Sequence, residues 1–308
     1  MGIRPTLRQL EILMALQESG SVSGAAEQLH LTQPTVSMQL KKLADQVGLP
    51  LFHQIGRRLQ LTDAGERTLH TAREVIESLE RLQMDMADLQ GLKQGTLRLG
   101  VVTTAKYFIP HLLGDFCERY PQIEIDFKVG NRQQVIDRLS EGRDDLYVFS
   151  HPPLDAPLTL HPFLDNPLVA IASAEHPWAK RQHIPLEEFA TAPFLIREPG
   201  SGTRYAMERF LRQRGIKLNV RMTVESNEAI RHSVMSGLGV SILSRHTLAF
   251  GGDAGLAILA VEGLPIFSQW TMAHHKGKPL SPVARTFLDW VEQRPPSVEI
   301  SKAAPGAS

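Results

Sequence analysis

The stretch "SVSGAAEQLHLTQPTVSMQLKKL", Ser21 to Leu43, narrows the possible folds more than any other part of the chain. Paired alanines, Ala25 and Ala26, precede a polar run, Thr32-Gln33-Pro34-Thr35, that leads directly into a second amphipathic segment. A helix that only buries an apolar face needs neither feature. Two helices crossing at close range need small residues at the crossing. A second helix that offers its first turn to something outside needs polar residues there.

The segment before it, "TLRQLEILMALQES", places Leu7, Leu10, Ile12, Leu13 and Leu16 mostly on one helical face. Gly20 ends that helix, and Ser21 caps a short one from Val22 to about Leu29. Thr32 is a good N-cap, and Gln33 and Pro34 fill the first turn, where proline loses nothing by lacking an N–H. Val36, Leu40, Leu43 and Val47 then follow a helical stripe. Thr35, Ser37, Met38 and Lys41 face outward, with Gln39 and Lys42 at the flanks. The pattern predicts a helix-turn-helix whose second helix fits a DNA major groove. Gln33 can pair with adenine through two hydrogen bonds, and the hydroxyls of Ser23, Thr32, Thr35 and Ser37 can serve several bases. Pro34 and Met38 lie on the same presented face, and Lys41 and Lys42 suit phosphates. A three-helix packing unit with a solvated polar face has the same spacing.

"LPLFHQIGRRLQLTDAG", Leu49 to Gly65, reads as two short strands around Ile55-Gly56-Arg57. This hairpin wing carries Arg57 and Arg58 toward a minor groove or a phosphate, although a solvated turn has the same pattern. After the Thr62 cap a long helix runs to about Leu92. Ala72, Val75, Leu79, Leu82, Met86 and Leu89 alternate spacings of three and four, flanked by Glu74, Glu77, Glu80 and Arg81. That seam suits a dimerising linker, or packing on the rest of the chain. A dimer suits DNA, because paired recognition helices read an inverted repeat.

At 308 residues two or three domains are expected. Lys plus Arg and Asp plus Glu balance at 33 each, so any polyanion binding must come from locally placed charge. No secretion signal or membrane-spanning run is evident, and the single Cys117 excludes an intrachain disulfide framework. A cytoplasmic protein is expected.

From Gly95 apolar strands alternate with helices, which predicts a mostly parallel α/β sheet. Ligands of such sheets sit at strand carboxyl ends, where helix N-termini offer N–H groups to anions. Thr103 and Thr104 follow "TLRLGVV", with Lys106 just inside the next helix, and Asn131 caps "RQQVIDRLSEG". "REPGSGTR" sets Gly200, Ser201, Gly202 and Thr203 between Arg197 and Arg204, and Ser226 and Asn227 begin "SNEAI". Singly these are ordinary helix caps. Together they describe a cleft for a small anion, a carboxylate or phosphate. The Gly-Lys-Ser/Thr triplet of phosphate-loop ATPases is missing, and adjacent His274 and His275 on a strand would point to opposite faces, against metal ligation. No catalytic constellation, metal site or cofactor is expected.

"LRQLEILMAL", "GSVSGAAEQLHLTQPTVSMQLKKL", "GLPLF" and "RRLQLTDAG" resemble, in order and spacing, the LysR-type transcriptional regulators. Gly24, where relatives often carry a basic or hydroxyl residue, and Gln54, where many have arginine, depart from the pattern. "GVVTTAKYFIP", "VGNRQQVIDRL", "DNPLVAIA", "FLIREPGSGTR", "ESNEAIR" and "GLGVSILSRHTL" are similar to the CbbR-type branch, regulators of Calvin-cycle (RuBisCO) operons. The resemblance implies an α/β chain with a winged helix-turn-helix (1–62), a linker helix (63–94) and a two-lobed effector domain like periplasmic solute-binding proteins (95–294). The first lobe would take about 95–167 and 271–294, the second about 168–270, and 295–308 would form a disordered tail. It implies a dimer of dimers on double-stranded DNA, RNA polymerase as a partner, no membrane association, and a metabolite effector such as ribulose bisphosphate, phosphoglycolate, phosphoenolpyruvate or NADPH. A solute-binding protein and an anion-dependent enzyme are the competing classes.

Overall fold

The computed structural model describes residues 3–55, 58–91, 93–251 and 254–293. The wing-tip residue Arg57 and the tail 295–308 lie outside the described residues, as does the side chain of Arg58. The chain forms two compact units, Met1–Leu92 and Lys93–Ser308.

In the first unit, α1 (Leu7–Ser19) starts at a reciprocal capping box between Thr6 and Gln9 and stops at Gly20, whose φ of 68° only glycine adopts freely. α2 (Val22–Gln28) is capped by Ser21, and α3 (Gln33–Val47) by Thr32. Ala25 and Ala26 are buried among Ile12, Leu13, Val36, Leu40 and Leu43, so the alanine pair sits where the three helices meet. Gly24 has a packing reason of its own. A β-carbon there would lie 2.7 Å from that of Ser19, too close for any side chain without movement. His30 takes a left-handed turn, φ 54°, before α3.

β1 (Phe52–Ile55) and β2 (Arg58–Leu61) pair antiparallel, Phe52 opposite Leu61. α4 (Asp63–Leu89) follows, with Thr62 capping Gly65 N–H and donating to Pro50 O at 2.7 Å. It ends three residues before the expected Leu92. Leu79, Leu82, Met86 and Leu89 are 39–80% exposed on the monomer, whereas Met84 and Ala87 on another face are buried.

The second unit contains two lobes. β3 (Gly95–Val102) runs into a 3-10 turn (Thr103–Tyr107), then α5 (Ile109–Arg119), β4 (Ile123–Gly130), α6 (Arg132–Ser140), β5 (Leu146–Phe149) and β6 (Leu158–Asp165). The chain passes into the second lobe with β7 (Leu168–Ser173), α7 (Leu186–Thr191), β8 (Phe194–Arg197), α8 (Gly202–Arg212) and β9 (Val220–Val224). α9 (Asn227–Met235), β10 (Ser241–Ser244), α10 (Arg245–Gly251) and β11 (Leu256–Leu259) complete it, and β12 (Gln269–His275) and α11 (Pro282–Gln293) return to the first.

The first lobe's sheet has the order β4-β3-β5-β12-β6, and β12 is antiparallel to both neighbours. In the second lobe β7 pairs antiparallel with β10 and β11, while β8 and β9 run parallel. The expectation of a mostly parallel sheet is therefore corrected: the sheets are mixed. A strand such as β12 that returns from the other lobe enters from the opposite end and runs against its neighbours. Apolar residues on both faces of β7 bury it, Leu168 and Ala170 toward α8 and Ile171 toward α9.

Two glycines should respond oppositely to alanine. At Gly65 the new β-carbon would meet Leu51 O at 2.0 Å, a backbone atom that cannot turn aside. Gly65→Ala should destabilise the first unit by about 1–3 kcal/mol. Exposed Gly114, inside α5 with open space around it, should gain up to about 1 kcal/mol as alanine from helix propensity. Thermal melts of the two variants check both signs.

Candidate functional site

α3 carries its polar residues where a groove-reading helix needs them. Gln33, Pro34, Ser37, Met38, Lys41 and Lys42 are exposed, while Val36, Leu40 and Leu43 anchor the opposite face. Thr32 and Ser23 are also exposed. Thr35 is half-buried, and its hydroxyl lies 2.8 Å from that of Thr32, so both hydroxyls fix the first turn. Gln39 is held by Gln9 Nε2 at 3.3 Å, which ties α3 to the start of α1.

In the second unit a small cavity opens between the lobes. Its walls include Thr103 and Thr104 after β3, Asn131 and Arg132 at the start of α6, and Ser150 after β5. Arg197, Ser201, Gly202 and Thr203 close it from β8 and α8, and Asn166 and Trp270 lie at its floor near the crossovers. The N-termini of α6 and α8, from different lobes, thus converge on one space. Asn131 caps Gln134 N–H, Ser201 caps Arg204 N–H and Gly200 O accepts from Gln133 N–H, which leaves the first N–H of α6, that of Arg132, and the N–H groups of Gly202 and Thr203 at the start of α8 for an anion. The enclosed volume is about 10 Å³, room for about one water molecule.

Several expected contributors stand elsewhere. Arg197 is 3% exposed and its guanidinium is spent within the protein. It donates to Glu198 Oε2 at 2.7 Å and Oε1 at 3.0 Å, and to the Asn227 side-chain oxygen. Arg204 donates to Glu208 at 2.7 Å and to Arg197 O at 3.1 Å, and does not line the cavity. The picture of two arginines offering charge across the glycine loop is corrected: a carboxylate neutralises each.

Lys106 pairs with Glu228 at 2.9 Å, and Ser226 caps α9 and donates to the same carboxylate. Burial pushes the Glu228 carboxyl up, but the bonds from Lys106 and Ser226 win and hold it at about 2. Asn227 joins Arg197 to Thr104, donating to the threonine hydroxyl at 3.2 Å, so it braces the wall. Gly200 contributes a carbonyl that accepts from Gln133 N–H at 3.1 Å, a contact between lobes.

The charge that remains belongs to Arg132, a residue passed over although it follows the Asn131 cap. Its Nε donates to His151 O at 2.7 Å and its guanidinium lies 4.4 Å from the centre of the Tyr205 ring. Of the two arginines lining the cavity, it is the one with no carboxylate within ion-pair distance among the described residues, and Asp155 acts on it only through its field. Burial lowers its pKa without threatening a charge that needs strongly basic solution to remove. Burial, then Arg132 and Arg209, push His151 down to about 4, so that imidazole is neutral near pH 7. Ser150 could have been found by the strand-end rule that selected Thr103. Asn166 and Trp270 carry no local signal, since only the crossovers bring them to the site.

His274 and His275 both lie on β12. His274 stacks on His161, ring centres 5.5 Å apart, and His275 bonds Leu139 O at 2.7 Å. Among the described residues no group of three or more His, Cys, Asp or Glu could hold a metal ion, and no helix is long and apolar enough to cross a membrane.

Two family models match the chain. Residues 7–66 match the bacterial regulatory helix-turn-helix protein of the lysR family, and residues 90–296 match the LysR substrate binding domain. The HTH-type transcriptional activator CmpR of Synechocystis is 47% identical over 298 residues, covering 96% of this chain and 98% of that protein. The RuBisCO operon transcriptional regulator of Acidithiobacillus ferrooxidans is 41% identical, covering 94% and 95%. The solved CcmR regulatory domain of Synechocystis PCC6803, in complex with 2-PG, is 44% identical with a TM-score of 0.64 and covers 67% of this chain and 99% of that one. The chain belongs to the LysR family of bacterial transcriptional regulators.

Proposed function

We propose that this regulator controls carbon-fixation genes and is switched by a small phosphorylated acid of the 2-phosphoglycolate kind, held between the lobes of its second unit. The observation that carries this reading is Arg132: a half-buried guanidinium with no carboxylate in ion-pair contact among the described residues, at a cavity where two helix N-termini converge. Phosphate is the oxyanion best served by a planar fork of donors beside free backbone N–H groups. The relatives named above, CmpR, the RuBisCO operon regulator and CcmR with its 2-PG, support the same choice of genes and ligand. A space of about 10 Å³ cannot take such an acid whole, so binding goes with separation of the lobes. The ligand is sensed and not turned over.

On the DNA side α3 enters the major groove with Gln33 leading. Lys41 and Lys42 meet phosphates, and the wing carrying Arg57 and Arg58 reaches beside it. The exposed apolar row Leu79, Leu82, Met86 and Leu89 pairs with a second copy, so two recognition helices meet an inverted repeat. Dimers pair again into tetramers in the cytoplasm, and RNA polymerase is the downstream partner.

Footprinting on a RuBisCO-type promoter, with and without 2-phosphoglycolate, tests the whole reading. A changed footprint or bend is expected, and an identical one at saturating ligand would overturn the switch. Arg132→Ala should weaken 2-phosphoglycolate binding by at least about tenfold, the worth of a charge-assisted hydrogen bond. Arg204→Ala should leave it within about threefold, since that charge is already paired. Calorimetry on the two variants decides between the arginines. Gln33→Ala should cost about 1–3 kcal/mol at one base pair, and Lys41→Ala should weaken all sequences alike and lower the salt slope by about one. Binding titrations on operator and random duplexes separate these two outcomes.

A further inference from the structure

We infer that the indole N–H of Trp270 selects the effector by donating to a second oxygen-bearing group, the one that Arg132 does not hold. This rests on the inter-lobe ligand site proposed above and specifies what its ligand must carry. Trp270 lines the cavity, is 1% exposed, and its Nε1 has no hydrogen-bond partner among the described residues. A buried donor without an acceptor is rare, because it gives up water and gains nothing in return. When it borders a ligand cavity, the ligand is the natural source of the missing acceptor.

The surroundings fix the ring rather than leaving it free to turn away. Phe108 packs against it with ring centres 5.2 Å apart, and His246, itself against Phe108, lies 6.4 Å away. The pairing of β12 with β6 is irregular at this point. Trp270 faces Leu164 on β6 while the next residue, Thr271, faces Pro162, so the register shifts and Phe163 is left over. Such irregularities re-aim side chains.

The polarity of the cavity divides accordingly. Arg132 and the two helix starts form a cationic end suited to a phosphate. Val102, Asn166 and Trp270 line the cavity without charge. A neutral, rigid, single donor does not discriminate by charge but by the presence of an acceptor at one place. The ligand class is therefore bifunctional: a phosphate joined through a short spacer to a carboxylate or other acceptor oxygen. A plain alkyl phosphate fills only half of it.

The experiment compares 2-phosphoglycolate with ethyl phosphate, which keeps the phosphate and the two carbons but lacks the carboxylate, on the full-length chain by calorimetry. The parent should prefer 2-phosphoglycolate by about tenfold or more, the scale of one hydrogen bond to a charged group. Trp270→Phe keeps the ring against Phe108 and removes the N–H. It should erase most of that preference while changing ethyl phosphate affinity less than about twofold. A parent that binds neither compound would sink the ligand site itself, and this inference with it. A parent that binds both while Trp270→Phe retains the full preference would overturn only the Trp270 assignment. Should that variant fold poorly, the parent suffices. Its Trp270 indole N–H resonance, assigned with Trp178→Phe and Trp290→Phe variants, should move downfield with 2-phosphoglycolate and not with ethyl phosphate. A resonance indifferent to both would overturn the assignment.

Discussion

The effector half of this regulator is organised around the buried pair of Arg197 and Glu198. The guanidinium reaches both carboxylate oxygens of its sequence neighbour, the side chain of Asn227 and, at 3.3 Å, the carbonyl of Glu225. Asn227 in turn donates to Thr104 in the other lobe. A single buried arginine thus holds the end of β8, the start of α9 and the first-lobe turn after β3. Burying two charges is costly, and such a pair adds little net stability over an apolar replacement. Its effect is on geometry: once formed, removing either partner strands a charge in the interior, so the wall of the cavity has one arrangement. The electrostatic consequence follows directly. With Arg197 neutralised, attraction for an anion falls to Arg132 and the two helix starts.

That constraint explains what could be read from the sequence and what could not. The helix-turn-helix is legible because its determinants are local. Caps at Thr6, Ser21, Thr32 and Thr62, glycine stops at Gly20 and Gly48, and a small-residue crossing all lie within a few positions of the feature they set. Even Gly24, an oddity against the family pattern, follows from the approach of Ser19. The strand-end rule located Thr103, Thr104, Asn131 and Ser201 through Thr203 at the cavity. It failed at the arginines, because whether a guanidinium is free depends on which carboxylate the fold sets beside it. Glu198 follows Arg197 directly and Glu208 is one turn beyond Arg204, yet spacing does not say which way these side chains turn.

The DNA-reading end and the dimer seam share one economy of design. Thr32 and Thr35 spend their hydroxyls on each other and on the first turn, so α3 presents Gln33 on a rigid start. The row from Leu79 to Leu89 leaves four large apolar side chains uncovered along one stretch of α4. Met84 and Ala87, on another face of α4, are buried, so the exposed row is confined to one side of that helix. In the proposed dimer, a partner copy on that row would set the distance between two recognition helices, and operator spacing would then become a property of helix packing.

Coupling between the ends requires that the ligand discriminate between two arrangements of the lobes, for a ligand that binds both equally moves nothing. The described arrangement supplies that discrimination by its tightness. Gln133 N–H at the start of α6 is occupied by Gly200 O, and Gly200 sits so close that a β-carbon would come within 3.2 Å of that of Gln133. Lys106 and Glu228 make a further bond between the lobes outside the cavity. An anion seeking the start of α6 competes with the Gly200 carbonyl for the same donor, and its bulk exceeds a space sized for about one water. Ligand binding and the Gln133–Gly200 contact are thus mutually exclusive in part. Under the proposed function, the free energy of that exclusion is what the metabolite would apply to the switch.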